Sequence, residues 1–354
     1  MNTRETTNVL ITGGAGFLGS RIAQSYLDSG SVVRVVGRVG RAAAAAGQRP
    51  PAGLEFVELD LCDLPRNFDA FEGQSLVVHT AAMMHADTLE ERRLQERVNV
   101  DATENVVEAC RRNGVSRLIH VSTTAAIGIS RDPRLPAEEN FRFNLEHLDL
   151  SYNRTKHQAE LLVLEANGPG LATTVVNPGF MLGPHQGGYR GREVIDRVLR
   201  RPWVVCTGGG LSLVHVDDVV DGIRRVDDRG RAGQRYILSG ENLSFREIAR
   251  TVCRIAGQRR ILISVPDIVR DLNVLYANAR FARGSGSGPQ LHFHRHYAYP
   301  YYSSEKARLE LGYQPRAFAT IVADALEHIR DPGSSPTPEV AQLSSDQGIE
   351  EGTT

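Results

Sequence analysis

The sequence predicts an α/β protein, a doubly wound parallel sheet followed by a smaller, loop-rich C-terminal region. Three observations predict it. Short β-branched apolar runs recur through the first half, helical patterns separate most of them, and a glycine-rich turn joins the first run to the first helix. Runs that are nearly continuously apolar belong to parallel sheets covered on both faces.

The first strand is NVLIT, 8–12, and the turn ITGGAGFLGS leads into the helical stretch FLGSRIAQSYLDSG. SVVRVVG (31–37), LEFVELD (54–60) and SLVVHTAA (75–82) give three further strands. ERRLQERVNVDATENVVEACRRNG has the spacing of one helix closed by Gly114, and SRLIHVS (116–122) is the fifth strand. SYNRTKHQAELLVLEANG is the next helix, and LATTVVNP (171–178) the sixth strand. Residues 1–177 are expected to form the sheet domain. After that the pattern loosens into GPHQGGYRGRE, TGGGLS and RGSGSGP, with one helix opened by a capping box of Ser244 and Glu247. Residues 178–330 are expected to form a substrate-binding region, some of whose segments return to the first domain. From Asp331 to Thr354 the chain is rich in Ser, Pro, Gly and acid, and a disordered tail is expected.

With 41 basic and 42 acidic residues the net charge is close to zero, so neither nucleic acid nor an anionic membrane is an expected partner. A small-molecule partner is. Cys62, Cys110, Cys206 and Cys253 lie far apart, a pattern expected of reduced thiols in the cytoplasm. The start MNTRETTNVL contains no apolar stretch of signal-peptide length, and no run approaches a membrane span.

The turn after the first strand carries glycines at two compatible spacings, Gly14-x-Gly16-x-x-Gly19 and Gly13-x-x-Gly16-x-x-Gly19. Such glycines allow a tight turn, close backbone approach to a pyrophosphate and helix packing, while the helix N-terminus offers N–H donors. A Rossmann-type dinucleotide site is therefore expected. An NAD site would place Asp or Glu at the end of the second strand, where this chain has VVGRVGR. Gly37 leaves room there, and Arg38 with Arg41 suits a 2′-phosphate, so NADP(H) is favoured and NAD(H) stays open. Asp60, ending the third strand, is placed to accept from an adenine amino group.

Lys156 is one of two lysines in the chain. Tyr152 lies one helical turn before it, so phenol and ammonium project from one face. The positive charge is expected to pull the phenol down from ~10 toward working pH, where a general acid/base acts best. Tyr302 and Lys306 repeat the spacing but follow no sheet strand, and a structural role is expected for them. Ser122, Thr123 and Thr124, ending the fifth strand, offer a hydroxyl to a developing alkoxide.

Over roughly residues 8–330 the chain resembles the extended short-chain dehydrogenases/reductases, also called the NAD-dependent epimerase/dehydratase family. The residues that carry the resemblance are TGGAGFLG, LDLCD, HTAA at 79–82, VNVDAT, VSTTAAIG, Tyr152-x-x-x-Lys156, NPGFMLGP at 177–184 and LVHVDDVVDGI at 213–223. The resemblance implies a tyrosine acid/base, Tyr152, a lysine that holds the ribose, Lys156, and a hydroxyl that polarises the carbonyl, which counting back from Gly128 places at Thr123. It also implies cofactor contacts from Gly13, Gly16, Phe17, Leu18 and Gly19, from Arg38, from Asp60 and Leu61, from Ala81 and Ala82, and from Asn99, Tyr152, Lys156 and Pro178. Asp217 and Asp218 are then packing residues.

Departures from the family pattern narrow the expectation. Thr123-Thr124-Ala125 lacks the extra acid and base of the dehydratases, and Ala126-Ile127-Gly128 stands where sugar epimerases often have Val-Tyr-Gly. GRVGR and the run from SYNRTKHQAELL to NPGFMLGP look more like the flavonol-reductase and 3β-hydroxysteroid-dehydrogenase branch. The expected activity is hydride transfer between nicotinamide and a ketone or secondary alcohol. The alternative is a nucleotide-sugar epimerase with tightly held NAD, and a third reading is a cofactor-sensing regulator.

The family's usual homodimer would join helices near 90–113 and 151–166, with Val98, Val106 and Ala109 as candidate contacts that could equally face the sheet. No metal is expected: His292, His294 and His296 alternate along LHFHRH without an acidic or cysteine ligand nearby. The late segments LISVPDIVRDLNVLYANARF and HYAYPYY suit an apolar substrate, whereas Arg190, Arg192 and Arg231 could each grip a diphosphate.

Overall fold

The computed structural model describes residues 7–37, 52–66, 68–185, 188–265 and 299–331. All six predicted strands form: β1 (Asn8–Thr12), β2 (Val32–Gly37), β3 (Leu54–Glu58), β4 (Leu76–His79), β5 (Arg117–Val121) and β6 (Ala172–Pro178). Seven more follow among the described residues: β7 (Phe180–His185), β8 (Gly188–Arg190), β9 (Trp203–Cys206), β10 (Gly210–His215), β11 (Gln234–Leu238), β12 (Glu241–Ser244) and β13 (Ile261–Ser264). The central sheet runs β11-β6-β5-β4-β1-β2-β3 with every neighbouring pair parallel. Its seventh strand thus comes from beyond Pro178. Strand order reverses between β1 and β4, which opens a crevice at the carboxyl ends of the strands, where doubly wound sheets bind ligands.

The helices among the described residues are α1 (Phe17–Asp28), α2 (Leu89–Glu96), α3 (Ala102–Arg112), α4 (Ser151–Glu165), α5 (Arg192–Leu199), α6 (Val216–Arg229), α7 (Phe245–Ile255), α8 (Glu305–Leu311) and α9 (Phe318–Arg330). Both faces of the sheet are covered, which is why its strands lack polar alternation. Val9 and Ile11 of β1 join one core with Ile22 of α1, Ile223 of α6 and Leu311 of α8. Leu10, between them, points to the other face and packs with Val106 of α3 and Val163 of α4. A separate core lies among α5, α7, α9 and the sheet β12-β10-β7-β8. The capping box predicted for α7 is present, Ser244 and Glu247 each bonding the other's backbone.

Two expectations are corrected. The helix predicted through residues 90–113 is two helices joined by a π-turn, Arg97–Asp101, which turns Asn99 into the interior. Val106 and Ala109 are fully buried against the sheet, so neither is available to a dimer partner. Arg38, Arg41, the histidines of LHFHRH, the RGSGSGP segment and the tail from 332 lie outside the described residues.

Candidate active site

The glycine turn has the form the sequence requires. Gly13 sits at φ +66°, and a Cβ there would lie 2.9 Å from the Ala81 backbone. A Cβ on Gly19 would lie 2.3 Å from Gly13 O, so α1 packs on the turn only because residue 19 is glycine. Gly16 caps α1 with no side-chain bond, and no acidic residue stands in the first turn. By contrast, α2 and α7 both have complete capping boxes. The first N–H groups of α1 are thus left for an anion, and the turn fits a dinucleotide pyrophosphate.

Phe17 and Leu18 open the helix and are largely buried. Asp60 is exposed, and its carboxylate accepts from Cys62 N at 2.9 Å. Leu61 is buried beside it, Ala81 and Ala82 follow β4 under the turn, and Pro178 ends β6. Asn99 is almost fully buried. Its oxygen accepts from Met83 N at 2.8 Å, and its amide donates to Met83 O and to Thr155 Oγ1, both at 3.0 Å. It braces the loop after Ala82 against α4 with its own side chain fully engaged.

The three hydroxyls at the end of β5 separate by environment. Ser122 Oγ is buried with no hydrogen-bond partner, and Thr124 lies beside the Tyr302 phenol. Thr123 lies beside the Tyr152 phenol, and its oxygen accepts from Ala125 N at 3.2 Å. The turn holding Thr123 is fastened to α4 by Asn153, which donates to Ala125 O at 3.0 Å, and by His157, whose Nδ1 lies 2.9 Å from Ala126 O. Asn177 on β6 donates to Thr123 O at 3.0 Å and to Glu160 Oε2 at 2.7 Å. Glu160 is fully buried, and its other oxygen lies 2.9 Å from the Arg235 guanidinium.

Lys156 is buried, and its amine donates to Val121 O at 2.9 Å and lies 3.3 Å from His120 Nε2. Burial lowers it to about 8, with the Glu160 charge acting the other way. The tyrosine does not follow expectation. Burial pushes the Tyr152 phenol up to about 12, opposed by the neighbouring Thr123 hydroxyl and by the positive charge of Arg190. Spacing correctly set the lysine and tyrosine one turn apart, but enclosure outweighs charge at the phenol.

Arg190 is the residue whose place the sequence left open. Its guanidinium lies 5.2 Å from the centroid of the Phe17 ring, beside Met84 and within electrostatic reach of Tyr152. Arg192 instead pairs with Asp196 at 3.2 Å, and Arg231 pairs with Glu310. Arg190 has no ion-pair partner among the described residues. The second Tyr-x-x-x-Lys separates: Tyr302 reaches Thr124, whereas Lys306 donates to Gln234 Oε1 at 2.8 Å and to Arg235 O at 2.9 Å. Asp217 pairs with Arg21 and Asp218 with Arg316, as packing residues would. No group of three or more metal-ligating side chains occurs among the described residues, and no described helix is long and apolar enough to cross a membrane.

A turn open to pyrophosphate, a crevice at the switch point and a Thr–Tyr–Lys set beside it define a nucleotide-dependent α/β enzyme. The chain belongs to the NAD dependent epimerase/dehydratase family, whose model matches residues 9–239. It is 31% identical to a 3 beta-hydroxysteroid dehydrogenase/Delta 5-->4-isomerase of Mycobacterium tuberculosis, over 88% of this chain and 87% of that one. It is 28% identical to sterol demethylase protein B of Methylococcus capsulatus, over 92% and 98% of the two chains. Among solved structures, that of gox2253 superposes with a TM-score of 0.77 at 28% identity, covering 93% of this chain and 99% of the other. The resemblance to the extended short-chain dehydrogenases/reductases is thereby established.

Proposed function

We propose that this enzyme moves a hydride between nicotinamide and the ketone or secondary-alcohol carbon of a largely apolar small molecule. The observation that carries the reading is the Thr123 hydroxyl set beside the Tyr152 phenol, with Lys156 one turn further along α4, near the open N-terminus of α1. The dinucleotide, when bound, supplies or takes the hydride. Tyr152 gives a proton to the substrate oxygen in reduction and takes one in oxidation, Thr123 donates to that same oxygen, and the Lys156 ammonium adds positive charge behind the phenol. A phenol held protonated to about 12 is ready as an acid at neutral pH, which favours reduction; oxidation needs the ionised form and gains as pH rises. A homodimer through α2 and α4 belongs to the same reading, and Leu89, Leu94 and Leu161 are the exposed large apolar side chains those helices offer.

The similarity to proteins named for sterol chemistry supports the apolar substrate. A second reading, a nucleotide-sugar epimerase with retained NAD, is favoured by Arg190, a cation near Tyr152 with no ion-pair partner among the described residues. Thermal-shift measurements on the cofactor-loaded protein separate the two, because a ligand that binds only the folded state raises its apparent stability. Stabilisation by sterol-like ketones or alcohols is expected. Strong stabilisation by uridine or thymidine diphosphate, with none from those compounds, would give the epimerase reading precedence.

NADP(H) is the preferred cofactor in this proposal. The support is Gly37 ending β2 with Arg38 next in the chain and no acidic residue there. Arg38→Ala is expected to weaken NADPH binding by ~1.5 to 3 kcal/mol and to change NADH binding little. Equal losses for the two cofactors in a fluorescence titration would count against a 2′-phosphate clamp.

A further inference from the structure

Two histidines beneath Lys156 have no part in the chemistry just proposed. His79 on β4 and His120 on β5 are fully buried, their ring centroids 5.1 Å apart. Burial, helped by the Lys156 charge, lowers His79 to about 3 and His120 well below the usual histidine range, so both rings are neutral. Their surroundings differ. The Thr103 hydroxyl donates its one proton to Asn99 O at 2.7 Å, so it accepts from His79 Nε2 at 3.0 Å. His79 Nδ1 then accepts from the Thr12 hydroxyl at 2.7 Å, and both of its nitrogens are satisfied.

His120 is not satisfied in this way. Its Nδ1 has no hydrogen-bond partner, and its Nε2 lies 3.3 Å from the Lys156 amine. As a packing residue it is a poor choice, because phenylalanine fills a similar space without an unpaired buried nitrogen. What imidazole adds is a lone pair facing the amine.

We propose that His120 is a positioning residue for Lys156: Nδ1 carries the ring hydrogen, Nε2 accepts one ammonium proton, and this bond keeps the lysine ionised and aimed. The proposal builds on the reading of Lys156 as the charge behind the phenol. The charged group acting on the amine is Glu160, one turn onward on α4, which favours the ammonium; Tyr152 lies one turn back on the same helix. Behind them stand neutral His79 and Arg235, the latter paired to Glu160. The ammonium loses its proton as pH rises through about 8. Without the acceptor on His120 the charged form is less favourable, and that loss moves to lower pH.

With only Lys156 and Lys306 in the chain, protein labelled with ¹³C at lysine Cε gives two resonances, and Lys306→Arg identifies them. The His120→Phe variant is expected to raise the acid dissociation constant of Lys156 about tenfold or more, with His120→Gln, whose amide oxygen accepts, recovering most of the difference. A His120→Phe titration that overlays the wild-type curve overturns the proposal. Should that variant not fold, ¹⁵N spectra of the wild-type rings decide: hydrogen on Nδ1 of His120 supports the proposal, and hydrogen on Nε2 below pH 7 overturns it. The alkaline limb of kcat should move with the lysine midpoint. If no carbonyl is reduced while the midpoint still moves, the reductase reading falls and the histidine–lysine bond stands.

Discussion

Tyr152→Phe is expected to lower turnover by about 10²- to 10⁴-fold, the range associated with removing a positioned acid/base. Cofactor affinity should stay within about fivefold of wild type, since a lost neutral hydrogen bond is worth only ~1 kcal/mol. The ring stays and keeps its packing at the start of α4, so the melting temperature should hardly move. What is lost is the proton that the substrate oxygen receives, from a phenol that sits beside the Thr123 hydroxyl. Single-turnover hydride transfer with the favoured cofactor reads the chemical step directly. A variant that retains wild-type turnover would remove Tyr152 from the chemistry and leave Thr123 without the role assigned to it.

How far the sequence anticipates this site depends on the range of the interaction. The strands and the phosphate turn were legible because their causes are local: β-branched runs buried on two faces, and glycines where a Cβ would meet Ala81 or Gly13. The spacing of Tyr152 and Lys156 was legible for the same reason. The two Tyr-x-x-x-Lys pairs look alike in sequence, yet only one keeps both residues beside the end of β5; Lys306 is drawn away by Gln234 and Arg235, more than seventy residues upstream in the chain. The direction of the tyrosine shift could not be read, because it is set by what encloses the phenol. Asn99 was found by its motif but not its task, which depends on a π-turn and on partners at Met83 and Thr155. Arg190 was one arginine among three until β8 placed it over Phe17.

Glu160 was not noticed in the sequence at all, and its loss is expected to be the most damaging to stability. On α4 it looks like an ordinary polar helix position, yet it is fully buried, with one oxygen 2.9 Å from Arg235 and the other accepting from Asn177 at 2.7 Å. Removing one member of a buried ion pair strands the other, at about 3 to 5 kcal/mol, more than its replacement by a matched apolar pair would cost. Arg235 retains some exposure, which places Glu160→Ala toward the lower end of that range. Glu160→Gln keeps the shape and an acceptor for Asn177, so it should lose clearly less. Because Asn177 also holds Thr123 O at 3.0 Å, the surviving Glu160→Ala protein should show reduced kcat as well, with Thr123 less firmly presented to Tyr152. Urea unfolding of the three proteins, with Arg235→Met and the double variant closing a mutant cycle, tests the account. A loss below about 1 kcal/mol for Glu160→Ala, or no coupling to Arg235, would show that the pair contributes nothing to holding α4 and β11 together.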